Sequence, residues 1–308
     1  MKKFFPINKS LKISFWLFGS VLVGIALAIF LLLLQKSPPT ATPISFPIAP
    51  IASPSAIASP SAKPTKSASP SSTINFPIAP VSFAQLAYGV PILMYHYVGN
   101  NPNPADRQRD ILSITPDKLD AQFAWLSTNG YTPITLDTLY GLFGKKEAIN
   151  KPIVLTFDDG YIDFYINAFP LFQKYHFHVV SFIPTGLIGG SYYMTWGQIK
   201  EIQNSGLVSF QAHSISHPNL TTLSYDKMLY EISESKKILE QQTGTSVNFM
   251  AYPYGASDPS VWKAALSAGY VGGVGTWLGK AAGPGINMPR IRIIGTISLP
   301  EFAAKVSQ

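Results

Sequence analysis

Four side chains that could share one metal site occur in two short groups. The first group is Asp158 and Asp159, which follow the apolar run 153–157. The second group is His213 and His217, which lie four residues apart. Two imidazole nitrogens and one carboxylate form a ligand set for Zn²⁺ or a similar divalent ion. The other carboxylate would then be free to act as a base, since two adjacent carboxylates repel unless one of them binds a cation.

Both groups are expected at the carboxyl ends of strands. Residues 153–157 form an unbroken β-favouring run, typical of a parallel strand buried on both faces, and the apolar stretch 207–212 leads directly into His213. Parallel sheets of α/β proteins bind ligands at this end. Asp-Asp-Gly alone is more often a solvated turn, and His-x-x-x-His alone is a weak metal pattern. Their joint position at two strand ends favours the metal interpretation, and Pro218 excludes the helical metalloprotease arrangement.

Strands and helices alternate throughout residues 88–308, which predicts a parallel sheet with right-handed crossovers. About seven such units favour an irregular (β/α)7-type barrel over an open sheet. The expected strands are 90–98, 131–135, 153–157, 178–183, 207–212, 247–252, 270–276 and 289–294. The expected helices are 116–129, 136–143, 162–175 with an interruption or late start at Pro170, 196–204, 225–242, 259–268 and 298–306.

The amino end has the pattern of a membrane anchor on a linker. Residues 13–34 carry no charge, and 22 residues at about 1.5 Å each span the hydrocarbon core of about 30 Å. Four lysines precede this stretch, so residues 1–12 are expected in the cytoplasm and the rest of the chain outside. A cleaved signal peptide is the alternative. Residues 35–87 are rich in Pro, Ser and Ala, which predicts a disordered linker before an extracellular catalytic domain at 88–308.

Charge and cysteine content exclude several classes of protein. The chain has 308 residues and a net charge of +7, but seven of its 23 basic residues lie in residues 1–80, which contain no acid. The remaining 16 basic residues balance 16 acidic ones, so the basic character gives no support to nucleic-acid binding by the domain. The absence of cysteine excludes disulfides and cysteine-ligated zinc.

Three motifs in this order resemble the polysaccharide deacetylase family, also known as the NodB-homology domain or carbohydrate esterase family 4. The resemblance covers about residues 88–300, and its motifs are Thr156-Phe-Asp-Asp-Gly160, His213-Ser-x-x-His217-Pro218 and Tyr252-Pro-Tyr-Gly255. It implies a deformed barrel of the NodB kind and metal-dependent removal of acetyl groups from N-acetylated sugars. By position it implies a general base at Asp158, metal ligands at Asp159, His213 and His217, and an oxyanion donor at the backbone N–H of Tyr254. The implied cofactor is a divalent ion, zinc first, with cobalt, nickel or iron as alternatives.

Three elements of the family pattern are missing, one of them the Asp-x-x-Asp-Trp type motif, which is replaced by Gly272-Gly-Val-Gly-Thr-Trp277. No histidine follows His217, so the usual late Leu-x-His acid is absent, and Ala251 stands where an arginine commonly opens the third motif. The Met94-Tyr-His96 arrangement resembles the branch that deacetylates poly-N-acetylglucosamine, in which the acid lies at the front of the domain; this implies His96 as the catalytic acid. A core histidine that caps a strand is the alternative. Arg290 or Arg292 could replace the missing arginine, with Arg290 preferred.

The leading hypothesis is therefore a membrane-tethered hydrolase of a non-peptide carbon–nitrogen bond. Its expected partners are an N-acetylglucosamine polymer, such as an exopolysaccharide or peptidoglycan, and the membrane, with no nucleic acid and no obligate protein partner. One alternative is a deacylase of a small amide or ester. Another is a non-catalytic polysaccharide-binding protein that retains a relic of the site.

Overall fold

A computed structural model describes residues 89–103, 105–143 and 149–307. All described residues belong to one compact unit. The predicted cytoplasmic segment 1–12, anchor 13–34 and linker 35–87 lie outside the described residues. Within the described ranges, no helix has both the length and the apolar character needed to cross a bilayer.

A parallel sheet lies at the centre of the domain. Its main path runs β10-β1-β5-β6-β7-β8-β9, and β4 pairs with the first residues of β5. A separate parallel pair is formed by β2 and β3. The strands are β1 (Ile92–Tyr95), β2 (Tyr97–Val98), β3 (Ser113–Ile114), β4 (Thr132–Pro133), β5 (Pro152–Asp158), β6 (Val179–Ile183), β7 (Val208–Ala212), β8 (Phe249–Ala251), β9 (Gly272–Val274) and β10 (Ile291–Arg292).

The two ends of the sheet approach each other. An isolated parallel bridge joins Val274 in β9 to Met288, in the segment that leads into β10. The expected α/β class with parallel strands is confirmed, and the bridged sheet is consistent with the irregular barrel predicted from the sequence. The ranges of several strands are shorter than predicted, because only the central residues of each apolar run find a paired neighbour.

Helices connect the strands and cover the sheet. Most lie where the apolar periodicity predicted them, and α2 buries the expected face at Leu119, Phe123 and Leu126. The helices are α1 (Arg107–Leu112), α2 (Pro116–Thr128), α3 (Leu136–Leu142), α4 (Phe169–Tyr175), α5 (Trp196–Asn204), α6 (Tyr225–Thr243), α7 (Pro259–Ser267) and α8 (Leu299–Ser307).

The predicted helix 162–175 is instead two elements. A π-helix at Phe164–Ala168 precedes α4, and the N–H of Phe169 bonds five residues back to the carbonyl of Phe164. Pro170 has no N–H to donate to Ile166, so the ordinary α-helical ladder cannot run through this point. The sequence signal at Pro170 was therefore correct about an interruption, whereas the wide turn before it was not predicted.

Alternation along the strands separates two cores. Along β5, Ile153, Leu155 and Phe157 pack into a large cluster with the surrounding helices, while Val154 belongs to a second cluster with residues such as Val180. All seven residues of β5 are buried. Because side chains alternate along a strand, Thr156 and Asp158 share the face of Val154. The fold thus directs Asp158 inward, above the second core.

Candidate metal centre and active site

The carboxyl ends of β1, β5 and β7 border a cavity of about 540 Å³. His96 lies just after β1, Asp158 and Asp159 lie at the end of β5, and His213 and His217 follow β7. All five residues line this cavity. Tyr254 and Arg292 also line it. The structure therefore brings the residues predicted from the sequence to one place, apart from Arg290, which lies buried behind Asp158.

Asp159, His213 and His217 present three potential ligand atoms to one point. The Nε2 atoms of the two histidines lie 3.2 Å apart. The Oδ1 atom of Asp159 lies 3.4 Å from Nε2 of His213 and 3.3 Å from Nε2 of His217. Four tetrahedral ligands with bonds of about 2.0–2.2 Å would be separated by about 3.4 Å. The three observed separations match this spacing, so the site fits a divalent ion of the size of zinc.

The tautomer of His213 also fits a metal ligand. Its Nδ1 lies 2.7 Å from the carbonyl oxygen of Ala251. A carbonyl only accepts, so Nδ1 carries a proton and Nε2 is the nitrogen directed toward Asp159 and His217; a metal ion bound at Nε2 would replace the proton that Nε2 otherwise donates to Asp159. Ala251, which replaces the arginine of the third motif, thus contributes its backbone rather than its side chain.

The Asp159 carboxylate gives the ligand set a negative charge. Burial raises the pKa of Asp159, but hydrogen bonds with His213 and His217 lower it by more, so the pKa lies well below its ordinary value. Burial lowers the pKa of His213, but the hydrogen bond with Asp159, the charges of Asp158 and Asp159 and the hydrogen bond with Ala251 together raise it above its ordinary value. The Asp159 carboxylate carries a negative charge and lies beside the Nε2 atoms of two imidazoles, so the group attracts a cation.

Backbone conformation explains the Asp-Asp-Gly sequence. Asp159 has a φ of 75° and Gly160 a φ of 70°, so the chain turns sharply as it leaves β5. Asp is one of the few residues other than glycine that tolerate this region. A side chain at Gly160 would also collide with Ile183, which requires glycine at this position. The turn points Asp158 and Asp159 in different directions and lets them have separate roles.

Asp158 forms a buried, bidentate ion pair with Arg290. Nη1 of Arg290 donates to Oδ1 of Asp158 at 2.8 Å, and Nη2 donates to Oδ2 at 2.7 Å. Arg290 also donates to the hydroxyl of Thr156 and to the carbonyl of Gly275. Burial raises the pKa of Asp158, but the guanidinium lowers it by more, so the pKa lies below its ordinary value. Asp158 is therefore ionised at neutral pH and held in a fixed orientation.

His96 lines the same cavity in a less polar environment. Its Nδ1 is buried without a hydrogen-bond partner. Burial lowers the pKa of His96, and the charges of Asp158 and Asp159 oppose this in part. An imidazole that has spare hydrogen-bonding capacity and faces two carboxylates is suited to exchange a proton with a bound molecule.

The third motif places Tyr254 beside His217. Tyr254 has a φ of 61°, and its ring packs edge-on against His217 with the centroids 4.7 Å apart. Gly255 has a φ of 72°, and a side chain there would overlap Thr276. The turn thus fits between the His217 ring and the loop after β9, and it requires glycine at position 255.

Sequence reasoning missed a stack of side chains on one wall of the cavity. The guanidinium of Arg109 lies 4.3 Å from the ring centroid of Tyr97, which stacks on Tyr161 at 4.0 Å, and Tyr161 in turn stacks on Tyr193 at 5.3 Å. The three tyrosines line the cavity. These residues come from four separate segments, so spacing in the sequence gave no signal. Thr156 and Glu231 were also missed, although Thr156 lies within the recognised first motif.

Comparison with known proteins finds polysaccharide deacetylases among the proteins similar to this chain. A family model described as polysaccharide deacetylase matches residues 145–273. The solved structure of the Streptococcus pyogenes deacetylase PplD in complex with acetate superposes with a TM-score of 0.66 and 31% identity, covering 71% of this chain and 98% of that one. A Bacillus subtilis (strain 168) protein, YxkH, whose name places it among polysaccharide deacetylases, is 31% identical over 194 residues, which cover 63% of this chain and 66% of that protein.

The poly-beta-1,6-N-acetyl-D-glucosamine N-deacetylase of Escherichia coli (strain K12) is 34% identical over 119 residues, which cover 33% of this chain and 18% of that protein. The chain thus spans less than two thirds of these two curated relatives. The fold and site define an α/β protein with a candidate metal centre at the ends of parallel strands. The chain belongs to the polysaccharide deacetylase family, which consists of hydrolases.

Proposed function

We propose that this chain is a metal-dependent deacetylase that removes N-acetyl groups from an extracellular polysaccharide containing N-acetylglucosamine. The proposal rests on one observation: the ligand atoms of Asp159, His213 and His217 meet in the cavity that also contains the Arg290-paired Asp158. The similarity to the E. coli enzyme, whose name specifies poly-beta-1,6-N-acetyl-D-glucosamine, supports this class of substrate.

Asp159, His213 and His217 would hold the ion. When bound, a divalent ion supplies Lewis-acid chemistry, which acidifies water and polarises a carbonyl. Two nitrogens and one carboxylate oxygen are suited to zinc, while cobalt, nickel and iron accept the same ligands. The ring orientation of His213 is fixed in advance by the Ala251 carbonyl, which reduces the rearrangement needed for binding.

Asp158 is the proposed general base. Hydrolysis requires water to add to the acetyl carbonyl carbon while a base takes its proton. Asp158 is ionised because Arg290 lowers its pKa, and it lines the cavity beside the ligand set. Arg290 is a positioning residue that acts through Asp158, since its guanidinium is committed to that carboxylate, to Thr156 and to Gly275.

His96 and Tyr254 complete the proposed reaction. As the carbon–nitrogen bond breaks, the sugar nitrogen must gain a proton; His96, once it has itself been protonated, would donate it, leaving acetate and a free amine. The backbone N–H of Tyr254 would donate to the oxygen that becomes negative during attack. The position of both residues on the cavity that contains Asp158 supports these roles.

The N-terminal sequence supports a location outside the cell membrane. Residues 13–34 form an uncharged stretch of sufficient length for a single-pass anchor, with lysines before it. The proline-rich residues 35–87 would then let the domain reach a polymer at a distance from the bilayer. Recovery of the chain in the membrane fraction, with digestion by protease added to intact cells, tests this arrangement; a soluble chain after deletion of 13–34 is the matched control.

Acetate release from an oligomer of β-1,6-linked N-acetylglucosamine tests the activity. We expect release by the purified chain, loss after treatment with a chelator, and recovery when zinc is added. Asp158→Asn should bind zinc but release little acetate, because the amide keeps contact with Arg290 yet cannot accept a proton as a carboxylate does. Asp120→Asn, at an exposed ion pair, is the matched control.

The same assay separates the alternatives. Polymer binding that is insensitive to chelator, with no acetate released, would identify a carbohydrate-binding protein with a relic site. Release of acetate from a small acetamide or acetyl ester, but not from the oligomer, would identify a small-molecule deacylase. Either result would contradict the proposed function.

A further inference from the structure

The loop between the two histidine ligands is conformationally strained. Residues 213–217 follow β7 and have no regular secondary structure. Ser214 has a φ of 65° and His217 a φ of 58°. Both values lie in the left-handed region, which residues other than glycine rarely adopt. Such conformations persist only where surrounding contacts hold them. The position of His217 relative to His213 therefore depends on whatever fixes residues 214–216.

One carboxylate on helix α6 binds this loop. Oε2 of Glu231 accepts the N–H groups of Ile215 and Ser216, each at 2.9 Å. Oε1 accepts the hydroxyl of Ser216 at 2.6 Å. Hydrogen bonds to an ionised acceptor are shorter and stronger than those between neutral groups. Glu231 thus uses both of its oxygens on the residues that separate the two ligands.

The opposite side of the loop is held by backbone. The N–H groups of Thr185 and Gly186 donate to the carbonyls of Ser214 and Ile215 at 3.1 and 2.9 Å. A side chain at Gly186 would collide with Ile215, so this approach requires glycine. The loop is therefore fixed between the segment after β6 and a single side chain of α6. The α6 contact is made by a side chain, so a substitution can remove it without altering the backbone contacts after β6. The loop also holds itself through the Ser214 hydroxyl, which accepts the N–H of His217 at 3.0 Å.

We propose that Glu231 is a positioning residue that sets the geometry of His213 and His217 for the metal ion. This inference rests on the proposed metal site. Glu231 touches neither histidine directly; it acts through Ile215 and Ser216, whose backbone it holds in the conformation that brings the two Nε2 atoms to 3.2 Å. Without it, the left-handed residues relax, and the ligands must be reorganised each time the ion binds.

The test is the zinc affinity of the full chain, measured by competition with a fluorescent chelator. Glu231→Ala should weaken zinc binding about 10- to 100-fold, the range found when outer-shell contacts of metal sites are removed. Glu231→Gln should retain more affinity, because its carbonyl oxygen still accepts the two N–H groups. Glu231→Asp should retain less, because the shorter side chain cannot reach them. Glu234→Ala is the control: this residue lies one turn along α6 and contacts Lys237, so affinity should be unchanged.

Thermal unfolding of the chelator-treated variants separates positioning from simple stabilisation. A purely structural role would lower Tm but leave the zinc affinity of the folded protein as in wild type, and that result would overturn the inference. If Glu231→Ala does not fold, the test uses Glu231→Gln and Glu231→Asp instead. If these two variants and wild type have equal zinc affinities, the positioning role of Glu231 is also overturned. Failure of wild type to bind zinc would instead refute the metal site itself, so the two failures are distinguishable.

Discussion

Replacing Arg290 by Met should expose how strongly the fold and the site depend on one buried ion pair. The Arg290–Asp158 pair has an N–O distance of 2.7 Å, and its side chains are 0% and 3% exposed. Lys174 and Asp120 form a pair at the same 2.7 Å distance, but their side chains are 53% and 37% exposed. Lys174→Met is therefore a matched control: it removes a long basic side chain from an exposed ion pair rather than from a buried one.

The expected loss is large because Asp158 would remain buried without its partner. Removing one member of a buried pair typically costs about 3–5 kcal/mol, a substantial part of the roughly 5–15 kcal/mol that stabilises a domain. The exposed pair should contribute far less, because water and salt screen it. Urea unfolding at neutral pH should show this difference, with Arg290→Met much less stable than wild type and Lys174→Met nearly unchanged.

The loss should also depend on pH. In wild type the pKa of Asp158 is lowered, so the pair stabilises the fold above the ordinary carboxyl pKa, and this contribution disappears as pH falls through the lowered value. In Arg290→Met, both contributions of Arg290 are lost, and burial, the largest cause, is opposed only by the charges of His213 and His96, so the pKa of Asp158 should rise. Its charge then opposes folding at pH 7 but not below the ordinary pKa, so the stability gap from wild type should narrow between pH 7 and pH 4. A gap that is pH-independent and no larger than that of Lys174→Met would refute this reasoning.

Three further predictions address the metal, a buried acid and the third motif. His217→Ala should lose both zinc binding and acetate release, and zinc affinity equal to wild type in isothermal titration would contradict the ligand assignment. Burial raises the pKa of Asp163 from 3.8 to about 6, so the Asp163 charge opposes folding above that pH. At 1.36 kcal/mol per pKa unit, Asp163→Asn should stabilise the fold by at most about 3 kcal/mol at pH 8. Urea unfolding should show this gain at pH 8 and no gain at pH 4. Gly255→Ala should lower both Tm and acetate release, because Gly255 has a φ of 72° and the new methyl group would overlap Thr276. Gly206 also has a φ of 72°, but no atom lies near its Cβ position, so Gly206→Ala should lower Tm by less and leave acetate release unchanged.

The candidate site was largely predictable because its residues follow strong local patterns. Asp158 and Asp159 end a β-favouring, mostly apolar run, and His213 follows another, so the strand ends could be located from the sequence pattern. Parallel strands then bring those ends to the same edge of the sheet. The convergence of Asp158 and His213 required no knowledge of loop conformations, whereas the position of His217 depends on the loop at residues 214–216.

The choice between Arg290 and Arg292 could not be made firmly from the sequence. The two arginines are separated by one residue, so both project from the same side of the chain. Strand register decides their environments: Arg292 lies level with Met94 and lines the cavity, while Arg290 reaches Thr156 and Asp158 through the interior. Register depends on how the sheet curves, which a local pattern does not specify.

Other features lacked a local signal altogether. Helix α1 (Arg107–Leu112) buries none of its residues, so it has no apolar periodicity to detect. Glu231 occupies an ordinary half-buried position of a long amphipathic helix, and only the approach of the 214–216 loop gives it a distinct role. The tyrosine stack is assembled from segments far apart in the chain. Such contacts arise from tertiary packing and cannot be read from spacing.

The most direct test of the account is a zinc titration of the metal-free chain in which bound zinc and acetate release from the β-1,6-linked oligomer are measured in the same sample. If the ion binds at Asp159, His213 and His217, the rate of acetate release should rise in proportion to bound zinc and stop rising at one ion per chain. Acetate release at full rate before zinc is added, or zinc bound at one ion per chain with no acetate released from any acetylated sugar, would contradict it.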